Sequence, residues 1–91
     1  MGIDFSKDGK LAFVALGPAN RVAVIDAATY EVKQDILVGQ RPWHLELDPE
    51  GKKLYVANGL INDMTVIDVP TLKAEKLVAV GRLPWGVAIV P

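Results

Sequence analysis

His44, Glu46 and Asp48 alternate in the stretch HLELD. On an extended strand that spacing places all three on one face. An imidazole beside carboxylates can hold zinc, or act as a base with its orienting partner. Arg21, Arg41 and Arg82 offer a second chemistry, since a guanidinium can fork onto a carboxylate or phosphate. Trp43 and Trp85 stand close to two of these arginines and can serve as aromatic platforms. Arg21, Arg41, Trp43, His44, Arg82 and Trp85 are therefore the candidate ligand-binding residues. His44 and Glu46 are weaker candidates for metal, and no metal site is expected from them.

Other catalytic sets are missing from the sequence. With 0 cysteines there is no thiolate nucleophile, disulfide, thiolate zinc site or covalently attached c-type haem. Ser6 is the only serine and His44 the only histidine, so a Ser–His pair would have to form between these two. No glycine-rich phosphate loop occurs at a strand–helix junction. No catalytic residue and no cofactor is expected.

The elements that position these residues follow from an internal repeat. At an offset of 42 residues Gly9 meets Gly51, Val14-Ala15 meets Val56-Ala57, and Asn20 meets Asn62. At the same offset Val24-Ile25-Asp26 meets Val66-Ile67-Asp68, Val38-Gly39 meets Val80-Gly81, and Pro42-Trp43 meets Pro84-Trp85. Residues 1–91 thus divide into units 2–43 and 44–85, with 86–91 opening a third. Each unit reads as four short strands, which in the second are expected over 44–48, 53–58, 64–69 and 74–80. KDGK and PEGK place Gly9 and Gly51 in tight turns that need a positive φ. Asp26 and Asp68 end the third strands with Thr three residues on, a spacing for a side-chain-to-backbone turn lock.

The strands LAFVAL, VAVI and LVAV are apolar on both faces, so both faces must be covered. A four-stranded unit of this length, flanked on each side, describes a blade of an all-β propeller. Two blades and an inner strand leave the ring incomplete. The ring would be completed by the remaining blades of a longer parent or by copies of the chain. Three copies supply six blades and four supply eight.

Composition narrows the partners. The formal charge is −1, with no basic stripe to neutralise phosphates, so nucleic acid is not expected. No apolar run nears the roughly 20 residues of a membrane-spanning helix. The opening MGIDFSKDGK does not have a signal-peptide layout.

KLYVANGLINDMTVIDVPTLK resembles the YVTN-type propeller repeat, with Tyr55-Val56-Ala57-Asn58 in place of Tyr-Val-Thr-Asn and then Val66-Ile67-Asp68. The first unit departs further, with Phe13-Val14-Ala15-Leu16. VGRLPWGVAIVP and LGPANRVAVIDA are similar to the C-terminal blades of exported bacterial propellers associated with PQQ-dependent alcohol catabolism. That resemblance implies a parent exported to the periplasm. It names a metabolic neighbourhood and does not imply that PQQ is bound.

The recurrent Val-Gly-x-x-Pro-Trp is expected to carry the chain from the outer strand of one blade to the inner strand of the next. Gly39 and Gly81 would allow the sharp departure. Pro42 and Pro84 would stiffen the crossing and hold the preceding residue extended. Trp43 and Trp85 would wedge between blades, or else form a platform at the channel mouth. Chemistry is expected where the repeat is broken, because recurring residues serve folding. Arg41 faces Leu83, Gln40 faces Arg82, His44 faces Gly86 and Arg21 faces Asp63. Two functions follow. One is a non-catalytic scaffold or binding segment. The other is a fragment of an enzyme or enzyme-associated propeller, such as a dehydrogenase-linked subunit or a sugar lactonase-like domain.

Overall fold

The computed structural model of the chain describes residues 2–58 and 63–79. Eight strands run in order: β1 (Ile3–Phe5), β2 (Leu11–Leu16), β3 (Arg21–Asp26), β4 (Val32–Leu37), β5 (Pro42–Leu47), β6 (Lys53–Asn58), β7 (Asp63–Asp68) and β8 (Lys73–Ala79). They form two four-stranded antiparallel sheets, β1-β2-β3-β4 and β5-β6-β7-β8, each a simple meander. This is the expected all-β, two-blade architecture with an incomplete ring. The inner strand expected over 86–91 lies outside the described residues. So do Gly81, Arg82, Pro84 and Trp85.

Local chemistry explains the turns. Gly9 and Gly51 take φ of 75° and 74°, the left-handed region that their turns demand. Asp26 accepts the backbone N–H of Ala28 and Thr29 at 2.9 and 3.0 Å. Asp68 accepts the Thr71 N–H at 3.2 Å and its hydroxyl at 2.7 Å. A ladder irregularity also recurs, at Val24/Ile25 in the first blade and Val66/Ile67 in the second. Such bulges add local twist.

The core lies between the blades. Asp4, Phe13, Val24 and Gln34 form one cross-strand row of the first blade. Phe13 and Val24 pack with Leu45, Leu54, Val56 and Ile67 of the second, all deeply buried. Polar bonds edge that interface. Leu47 N donates to Asp4 Oδ2 at 3.2 Å, Gly39 N to Thr65 Oγ1 at 3.1 Å, and Gln34 Nε2 to Leu72 O at 3.0 Å. The inner strands approach closely at one end, where a Cβ on Gly2 would lie 2.9 Å from the Trp43 carbonyl oxygen.

The first blade's other face is uncovered. Ile3, Phe5, Val32 and Leu37 point away from the second blade and are 52–60% exposed. The first blade thus presents apolar side chains on the face away from the second, in line with its two-faced apolar strands.

Candidate functional site

Arg41, Pro42 and Trp43 lie where the outer strand β4 gives way to the inner strand β5. Opposite them a single 3-10 turn, Gly17–Ala19, links β2 to β3. Together they line an open, mostly apolar cleft of about 570 Å³, whose accessible lining is Leu16, Gly17, Pro18, Ala19, Arg41 and Trp43. That volume suits a small ligand.

The crossing differs from expectation in two ways. Arg41, the residue before Pro42, is left-handed, at φ 53°. Proline therefore does not hold its predecessor extended. Arg41 is fixed instead by a hydrogen bond from its backbone N–H to Asn20 Oδ1 at 2.8 Å. Trp43 is not a wedge between the two described blades, being 57% exposed. The ladder explains this: Pro42 pairs with Asn58 and His44 with Ala57, so Trp43 is skipped as the extra residue of a bulge. A bulge re-aims a side chain. Pro42, the residue before Trp43, is fully buried instead. The exposed Trp43 ring sits 5.5 Å from His44 between centroids, tilted by 37°.

Asn20 was not among the sequence candidates. It is itself left-handed at φ 57°, its carbonyl accepts the Val38 N–H at 3.0 Å, and its side chain holds Arg41. The signal was its recurrence at Asn62, since Asn is the side chain that most readily tolerates this conformation.

The other candidates scatter. Arg21 is exposed at the start of β3 and does not line the cleft. His44 and Glu46 do share a face of β5, but Asp48 is committed to the β5–β6 turn, accepting the N–H of Lys52 and Lys53 at 2.9 and 3.3 Å. Among the described residues no three His, Cys, Asp or Glu gather as a metal site. Glu46 Oε2 is buried without a hydrogen-bond partner among the described residues. Its counterpart one repeat earlier is Asp4, which accepts an N–H from the next blade. Glu46 thus occupies the position of an inter-blade acceptor.

The strongest titration effects lie at the opposite end of the strands, in the turns. The Thr71 hydroxyl, followed by Lys53, holds the Asp68 carboxyl down to about 2. Backbone N–H groups of Thr29 and Ala28 lower Asp26, and the Ser6 hydroxyl lowers Asp8. Lys53 is raised by Glu75 and Asp68, with Asp68 at 3.0 Å. These shifts belong to turn locks and one ion-pair group, not to a catalytic cleft.

No family model and no curated protein matches the chain in sequence. Solved structures do match. Hydrazine synthase of Kuenenia stuttgartiensis is 29% identical over 91% of this chain and 24% of its own, with a TM-score of 0.82. Apo AztD from Citrobacter koseri is 19% identical over 98% of this chain and 24% of its own, at 0.75. Dihydro-heme d1 dehydrogenase NirN in complex with DHE is 23% identical over 97% of this chain and 18% of its own, at 0.74. All are β-propeller-type proteins, and the fold of this chain is that of propeller blades. The chain spans a quarter or less of each.

Proposed function

We propose that the chain is a non-catalytic propeller segment, a two-blade scaffold that works within a larger ring and presents its β2–β3 and β4–β5 loop face for binding. The missing blades come from copies of the chain, or from further blades where it forms part of a longer protein. One comparison carries this reading. Ile3 is 60% exposed, whereas Leu45, its counterpart one repeat later, is 4% exposed. Phe5 is 52% exposed, whereas its counterpart Leu47 packs against the core. The open face of the first blade is the same surface that, in the second, is buried against a neighbour.

The finer assignment is a YVTN-type repeat from an exported propeller in the neighbourhood of PQQ-dependent catabolism. Its support is the Tyr55–Asn58 and Val66–Asp68 pattern. Light scattering on the purified chain tests the scaffold reading. The expected mass is three or four times 9.8 kDa, and a folded monomer at 9.8 kDa overturns self-assembly. A second reading, a segment of an enzyme, is favoured by the likeness to hydrazine synthase and NirN. Stoichiometric metal lost in a His44→Ala variant would select it.

A further inference from the structure

We propose that the cleft between the Gly17–Ala19 turn and the 41–43 crossing binds a small monoanionic carboxylate carrying a flat apolar ring. The proposal rests on the loop-face reading above and names the ligand class of that face. It does not depend on ring assembly, because both walls of the cleft belong to this chain.

Three observations converge. The accessible walls, Leu16, Pro18 and Ala19, present aliphatic surface and no ionised group. Trp43 is turned outward by a bulge, is 57% exposed and lines the cleft. A flat ring can stack there, as aromatic pairs favour. Arg41 contributes the only charge among the described lining residues, and the ion pairs of the described residues all involve Lys53 instead. A guanidinium grips a carboxylate with two parallel N–H···O bonds. A dianion would keep one charge uncompensated against apolar walls, which is costly. That favours a carboxylate over a phosphate monoester.

The site is also pre-organised. Arg41 holds a left-handed backbone immediately before a proline, and the Asn20 amide oxygen fixes it there. Outliers of this kind concentrate at ligand clamps. The stem of Arg41 therefore leaves the backbone in one direction, which reduces the ordering cost of gripping a ligand. Arg41 is also a departure from the repeat, with Leu83 at its counterpart.

The test titrates the 15N-labelled chain with 1-naphthoate, with neutral 1-naphthamide and with inorganic phosphate, and records the mass by light scattering in the same buffer. Naphthoate is expected to shift the Trp43 indole N–H and the backbone N–H signals of Gly17, Ala19, Asn20, Arg41 and Trp43. It should bind about tenfold more tightly than the amide, the margin of a charge-assisted contact. Arg41→Gln is expected to erase that margin while leaving the melting temperature unchanged, and Arg21→Gln to change neither. Trp43→Ala should weaken both ring ligands, and Trp43→Phe should retain them. Equal binding of acid and amide by the native chain, shifts mapping elsewhere, or phosphate binding as tightly as naphthoate would overturn the proposal. Binding by a chain that stays at monomer mass would uphold this site and refute self-assembly. Assembly without binding would do the reverse.

Discussion

Replacing Phe5 by Ser tests whether the open face of the first blade is an interface. Phe5 is 52% exposed in the two-blade unit. A Phe side chain offers roughly 200 Å², so about 100 Å² is left to bury against a neighbour. At about 25 cal/mol per Å² that is about 2.5 kcal/mol per contact. A tenfold change in affinity is about 1.4 kcal/mol, so each contact should weaken about 60-fold. The side chain meets little of the intra-chain core, so the melting temperature of the dissociated unit should fall only slightly. Sedimentation velocity over a concentration series reads the shift directly: the native chain is expected to assemble at micromolar concentration, and the variant to need concentrations well over tenfold higher. If the variant and native chains assemble at the same concentration, the face is not the contact. If the native chain stays a cooperatively folded monomer throughout, the blade-on-blade reasoning itself is wrong.

Phe13→Ala should cost about 3–5 kcal/mol, because a fully buried ring between the blades leaves a cavity; chemical denaturation with circular dichroism measures it. Gly9→Ala and Gly51→Ala should both lose about 1–2 kcal/mol from a strained positive φ. Gly51→Ala should lose more, since its Cβ would meet Lys7 Cβ of the other blade at 2.8 Å while Gly9 has nothing within 4 Å. Asp68 is held at about 2, below its ordinary 3.8, so its stabilising contribution is complete above about 3.8 and disappears as pH falls through about 2. Acid unfolding followed by fluorescence should show that loss in the native chain and not in Asp68→Asn, which starts less stable at neutral pH.

The blades were legible because their signals are local. Gly9, Gly51 and the Asp26 and Asp68 turn locks each act within a few residues, so sequence order alone states them. The two-faced apolar strands likewise announced a need for neighbours before any neighbour was located. The crossing was not legible in the same way. Which of residues 39–41 turns left-handed is decided by the side chain of Asn20, 21 positions away. Whether Trp43 points inward is decided by a skipped register in the β5–β6 ladder. Both depend on tertiary pairing, and the Val-Gly-x-x-Pro-Trp pattern reads the same either way. The loop arginines were legible as candidates, but only the fold separates Arg41, in the cleft, from Arg21, outside it.

Arg41 shows how a departure from the repeat marks a candidate position. The β1–β2 ladder runs from Ile3 with Val14 to Phe5 with Ala12, and the same phases of the β5–β6 ladder, Leu45 with Val56 to Leu47 with Leu54, pair alike. The β5–β6 ladder loses register at Trp43, and the residue two before it is left-handed. A left-handed non-glycine costs about 1–3 kcal/mol, which packing has to offset. Asn20 supplies part of that support, and in the sequence asparagine recurs as Asn62. What the tether presents is not repeated, since arginine stands here and leucine in the next unit. A folding role would be served by either residue, because the tether holds the backbone N–H and not the side chain. The guanidinium at this position is the group the proposed carboxylate contact uses, and the loss of the acid-over-amide margin in Arg41→Gln tests it.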